Sequence, residues 1–80
     1  MILRPVTTEK IVRMIDLENT LVFEVEKKYN KEKVRKEIEK VFEVKVIKIR
    51  TSIKDNKKIV YAKLDKRNPA IDIATKLGMI

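Results

Sequence analysis

Between Thr20 and Glu26 the side chains alternate, with Leu21, Phe23 and Val25 on one side and Val22, Glu24 and Glu26 on the other. A period of two turns one strand face to a core and the other to water, so this segment reads as a strand. After it the period changes. Val34, Ile38, Val41 and Phe42 stand at i, i+4, i+7 and i+8, with Lys, Arg and Glu between them and Asn30 placed to cap the first turn, which predicts a helix. Upstream, Ile2 to Arg4 reads as extended chain ended by Pro5, because the residue before proline is pushed out of the helical region. Thr7 is then positioned to cap a short helix with Ile11, Met14 and Ile15 on one face, broken at Glu18-Asn19.

Val44 to Ile53 is rich in β-branched residues and predicts a strand, but its apolar residues fall on both faces (Val44 and Val46 against Ile47 and Ile49), leaving its orientation open. Asp55-Asn56 supplies turn chemistry, since short side chains of this type tolerate left-handed backbone. Lys58 to Leu64 returns as the second strand of a hairpin. Asn68-Pro69 opens a last helix, with Asn as its cap, Ala70, Ile73, Ala74 and Leu77 as its buried stripe and Gly78 as its stop. The order is β-α-β-α-β-β-α. Two strands joined through a helix lie parallel, so the simplest packing slots the last strand between them, antiparallel to both. The expected fold is α+β, a small antiparallel-dominated sheet of three to four strands packed with helices.

Composition narrows the class. Eighty residues make one expected domain, 1–80, of a size that buries only roughly 60 to 65% of the surface its unfolded chain exposes. Apolar content of 44% with one Gly and two Pro argues for a folded chain. No apolar run approaches the roughly 18 residues of a membrane span, and Met1-Ile2-Leu3-Arg4-Pro5 lacks a signal-peptide layout, so a cytoplasmic protein without membrane insertion is expected.

Charge changes the picture most. Val44 to Arg67 holds nine basic residues against Asp55 and Asp65, a net +7, while the remaining residues carry eleven bases and ten acids, a net +1. Lysine does protect sheet edges from aggregation, but a mixed-sign surface would do so with less self-repulsion. A one-sign field gathered in a third of a small chain asks for a polyanion.

Catalytic chemistry is poorly supplied. The chain has no His and no Cys, which removes the usual acid–base group near neutral pH and the commonest zinc ligands. Ten of twelve acids are interleaved with bases outside the hairpin, and one glycine cannot build a phosphate cradle. No cofactor or metal is expected. Among nucleic-acid binders, a single-strand reader stacks bases on paired aromatics of a central strand. Lys57-Lys58-Ile59-Val60-Tyr61-Ala62-Lys63-Leu64 has one aromatic and no glycine, and Tyr61 is equally suited to the core or to a base. Tyr29, beside the Asn30 cap, fits a helix staple. No helix-turn-helix or base-reading basic helix is visible, which leaves recognition of a folded RNA by its phosphates and shape.

These segments, in this order, resemble the L-twenty-three family of large-subunit ribosomal proteins over nearly the whole chain. The likeness rests on Arg4-Pro5-Val6-Thr7-Thr8-Glu9-Lys10, on Asn19-Thr20-Leu21-Val22-Phe23, on Phe42-Glu43-Val44-Lys45-Val46 with Thr51, and on the strand from Lys57 to Leu64. The ending Asp72-Ile73-Ala74-Thr75-Lys76-Leu77-Gly78 and the short hairpin are similar to the archaeal branch. The resemblance implies a structural protein bound to the third domain of large-subunit rRNA at the rim of the polypeptide exit tunnel. It also implies a neighbour of the L-twenty-nine family and a docking surface for nascent-chain factors, including the signal recognition particle, with the protein a monomer within the ribosome. By motif, Thr8, Lys10, Thr51, Lys57, Lys58 and Lys63 are carried over as RNA-side residues, and Glu9 resembles the acid that bacterial members present to a chaperone, with a local capping or ion-pair role equally open to it. Arg50 stands where family members often have Asn, exchanging a neutral amide for a fixed cation. The hairpin is too short for the tunnel-reaching extension of bacterial members.

The full set of expected rRNA contacts is Arg4, Thr8, Lys10, Lys48, Arg50, Thr51, Lys54, Asn56, Lys57, Lys58 and Lys63. The alternation in the strands does not decide whether Lys48 and Lys63 share a face. The alternative reading is a free-standing basic module for an acidic protein or an anionic membrane. A phosphate-ester or acylphosphate hydrolase on a similar frame would need a buried Arg–Asn pair, for which Arg50 and Asn56 are the nearest residues.

Overall fold

A computed structural model of the chain describes residues 1–78. The elements are β1 (Arg4–Pro5), α1 (Glu9–Glu18), β2 (Thr20–Glu26), α2 (Lys31–Phe42), β3 (Val46–Lys54), β4 (Lys57–Leu64) and α3 (Ala70–Lys76), in the expected order. They form one four-stranded sheet, β1-β2-β4-β3, antiparallel at every pairing, so the last strand does lie between the two that α2 connects.

The alternation of β2 sets the core. Leu21, Phe23 and Val25 are buried together with Val60, Ala62 and Leu64 of β4, beneath Val34 and Ile38 of α2 and Ala70, Ile73 and Ala74 of α3. Each large side chain buried in this way contributes about 1.5–3 kcal/mol. Phe42 stacks on Phe23, ring centroids 5.5 Å apart. The inward row of α2 is therefore 34, 38, 42 at four-residue spacing, with Phe42 partly buried at its end; Val41, expected on this face, lies off the row and is 53% exposed. Tyr29 packs on the edge of the same core.

The N-terminal caps of α1 and α3 differ from expectation. The cap of α1 is Thr8 rather than Thr7: its hydroxyl accepts the Ile11 N–H at 3.2 Å, and Glu9 follows in the first turn, at the positive end of the helix. Asn30 caps α2 as expected, accepting from the Lys33 N–H at 2.9 Å. Asn68 does not cap α3. Its side-chain oxygen accepts the Lys45 N–H at 2.9 Å, tying down the approach to β3, and Pro69 occupies the cap position. The orphan Ala70 N–H bonds instead to the Asn19 side-chain oxygen at 2.6 Å. Leu77, expected in the buried stripe, is the residue after α3 and stays 37% exposed, with Gly78 at φ +72 completing the stop.

Asn19 joins three elements. Its backbone takes the left-handed conformation (φ 51) that ends α1, and its amide nitrogen donates to the carbonyls of Leu64, Asp65 and Asn68 at 3.0, 3.2 and 3.2 Å. The turn into β2, the end of β4 and the start of α3 are thus pinned to one side chain.

β3 begins two residues later than expected and carries a bulge. Val46 pairs with Leu64 but Lys48 pairs with Lys63, so Ile47 is the extra residue. The Glu39 carboxylate accepts the Val46 N–H at 3.0 Å beside it. The bulge resolves the orientation of β3. Val46 faces the core, the alternation then slips by one, Ile49, Thr51 and Ile53 continue on the core side, and Ile47 is left 52% exposed.

Candidate nucleic-acid interface

The register assigns every strand residue to a face. Opposite the helix-covered core lie Thr20, Val22, Glu24 and Glu26 of β2, Lys57, Ile59, Tyr61 and Lys63 of β4, and Lys48, Arg50, Ser52 and Lys54 of β3. Arg4, paired with Glu24, joins them from β1. Six of the expected contacts, Arg4, Lys48, Arg50, Lys54, Lys57 and Lys63, are therefore gathered on one side of the sheet.

Two pairs of like charges are direct cross-strand neighbours, Lys48 with Lys63 and Lys54 with Lys57. Such pairs are destabilising in the isolated protein. Among the described residues only Lys57 is relieved, by a 3.0 Å ion pair with Glu24. Arg50 sits over the ring of its partner Tyr61, 4.9 Å from the centroid. Tyr61 is half-buried on this face and is absent from the core cluster, which removes the core role of the two left open for it.

The other bases of the segment are used differently. The Lys58 ammonium donates to the Tyr29 carbonyl on the helix-covered side, and Thr51 lies on that side too. These two expected contacts stand apart from the other six. Arg67 is held by Asp65, whose carboxylate accepts its backbone N–H at 3.0 Å and its guanidinium Nε at 3.3 Å. That backbone hydrogen bond, then the guanidinium, holds the Asp65 carboxyl below the usual carboxylate range. Asp65 is thereby taken up by Arg67 and not by a cation of the open face.

α1 borders this face. Val22 is fully buried although it points away from the main core, covered where α1 packs on β2; Ile11 and Met14 are buried there too. Between α1 and the sheet runs a groove of about 560 Å³, bounded by Thr8, Lys10 and Arg13 on the helix side and by Arg50, Lys54 and Tyr61 on the sheet side. Arg50 and Tyr61 also line its continuation toward Lys48 and Lys63. Thr8 and Lys10, expected from their motif, are thus brought to the rim of the same face. Asn56 sits exposed in the hairpin turn at φ 64, beside Lys57. A second concavity, of about 400 Å³, lies between Arg4, Glu24 and Lys57. Glu9 projects from the start of α1 with its side chain 90% exposed, 3.8 Å from Arg13.

Arg13 is a groove residue that sequence reasoning missed. Its signal was present: Lys10, Arg13 and Leu17 recur at i, i+3 and i+7 along α1, beside its buried stripe. Arg50 and Asn56 do not form the buried pair a hydrolase would need, since Asn56 is exposed in the turn and Arg50 lies over Tyr61 on the open face. Among the described residues, no cluster of acids is placed to hold a metal ion and no helix is long and apolar enough to cross a membrane.

Residues 1–75 match the model of the family described as Ribosomal protein L23. A protein of Methanothermobacter thermautotrophicus named Large ribosomal subunit protein uL23 is 43% identical over 79 residues, covering 98% of this chain and 92% of that protein. The protein of the same name from Caldivirga maquilingensis is 40% identical over 80 residues, with 99% and 93% covered. That of Trypanosoma brucei brucei is 38% identical over 77 residues, which is 95% of this chain but 47% of the relative, so the chain spans about half the length of the trypanosome protein. A match along almost the entire chain, on a fold whose open face gathers the cations, leads to one conclusion: the chain belongs to the ribosomal protein L23 family.

Proposed function

We propose that the protein is a structural, non-enzymatic constituent of the large ribosomal subunit that binds the third domain of its rRNA near the polypeptide exit tunnel through the open face of the sheet. The observation that carries this reading is the gathering of Lys48, Arg50, Lys54, Lys57 and Lys63 on one side, with like charges as direct neighbours. A surface selected for the stability of a free protein would separate those charges; phosphates arriving between them turn the repulsion into attraction. The mechanism is placement. Each ammonium or guanidinium at a phosphate releases condensed counterions, and the rigid sheet fixes the spacing at which phosphates are met. Arg4, Thr8, Lys10 and Asn56 extend the contact around the face, while Thr51 and Lys58 act from the helix-covered side. Glu9, exposed at the start of α1, is the residue we assign to a factor that meets the nascent chain, such as the signal recognition particle, and a protein of the L-twenty-nine family is the neighbour this reading expects.

The test is the triple variant Lys48→Ala, Lys54→Ala, Lys63→Ala bound to a transcript of the third domain. Affinity should fall, and the slope of log K against log salt should flatten by roughly 2 to 3, at about 0.7–0.9 for each phosphate that is no longer neutralised. The folded structure, followed by circular dichroism, should survive. An unchanged slope would remove the open face from the RNA.

A further inference from the structure

The groove between α1 and the sheet has more apolar surface than phosphate binding requires. Ile11, Met14 and Leu17 on α1 face Ile59 and Tyr61 on β4, and Leu17 is 79% exposed at the rim. Folding gains nothing from an exposed leucine beside a half-buried tyrosine, and a phosphate gains nothing from either. Cations stand at both ends, Lys10 and Lys54 at one and Lys48 and Lys63 at the other, with the Arg50–Tyr61 pair in the middle. An apolar centre flanked by positive charge is the complement of a nucleotide, which has an apolar π-face between two phosphates.

Resting on the proposed RNA-binding role, we infer that this groove receives a single base extruded from the folded rRNA, stacked against the Arg50–Tyr61 pair, with the backbone on either side of it running toward the cations at the two ends. The one acid in the groove, Glu18, borders both parts of it. It repels phosphate but can accept from an amino group on a base edge, so the occupant is a base carrying such a donor. The protein then does more than position an RNA surface: it selects a conformation in which one nucleotide is unstacked.

Stacking releases no counterions, and this separates it from the lysine contacts. Tyr61→Leu should weaken binding to the third-domain transcript by about ten-fold while leaving the salt slope at its native value. Tyr61→Phe, which keeps the ring, should bind like the native protein. If the lysine triple variant weakens binding and Tyr61→Leu does not, the base inference is overturned and the RNA-binding role stands; a groove that holds a protein segment would give this same result. If the lysine triple variant binds with the native slope, the open face is removed from the RNA and the reading on which this inference rests fails with it. Should Tyr61→Leu not fold, ultraviolet crosslinking of the native protein to the transcript decides. A nucleotide adduct on Tyr61 supports the inference, and adducts confined to other segments overturn it.

Discussion

Asn19 makes more side-chain hydrogen bonds than any other described residue, all of them to the β4–α3 stretch. Its left-handed backbone ends α1, and its side chain both donates to the β4–α3 connection and caps α3. Replacement by Gly keeps the backbone conformation, which glycine adopts without strain, and deletes only the side-chain bonds. Asn19→Gly should therefore cost about 2 kcal/mol, the sum of a missing cap and a net hydrogen bond, read as a lower urea midpoint with an unchanged slope. In the sequence Asn19 is legible as a helix terminator and no further. Its partners Leu64 and Ala70 lie 45 and 51 positions away, a separation to which no local pattern speaks. Thr8, by contrast, acts three residues from its partner Ile11, and local pattern misplaces that cap by only one position.

At the level of elements, the hairpin shows which signals are local and which are not. Asp55 and Asn56 take φ 51 and 64, as the mirror-image two-residue turn demands, and turn chemistry alone identifies the site. Asp-Gly suits that turn better than Asp-Asn. Asn56→Gly should raise stability by about 0.5–1 kcal/mol, the left-handed strain relieved less the added freedom of an unfolded glycine, measured by thermal melting. The strand leading into the turn is harder to read. Val46, Lys48 and Arg50 share a parity, so simple alternation puts the cations on the same side as a core valine. The bulge at Ile47 breaks that rule, and it depends on pairing with β4 rather than on any residue preference. The stripe of α2 is legible for the same reason that the strand β2 is: one uninterrupted period.

For the whole molecule, the net charge of +8 and the crowded open face give salt two opposite effects. Screening relieves the Lys48–Lys63 and Lys54–Lys57 repulsions in the free protein while it weakens the proposed grip on RNA. Raising KCl from about 50 mM to about 500 mM, across which the screening length falls from over roughly 10 Å to under roughly 5 Å, should increase the melting temperature of the isolated chain by a few degrees. A decrease would mean that the exposed ion pairs outweigh the repulsions. The location of the positive field along the chain is plain from composition. Its gathering on one face, and the groove that α1 builds beside it, come only from tertiary packing. The extra residue in β3 has one more implication. Val46 looks inward and Lys48 outward because of the number of residues between Glu43 and Lys48, not because of their identity. Shortening that stretch by one would force the chain either to expel a valine or to swallow three cations, so exchange of letters here is tolerable where a change of count is not.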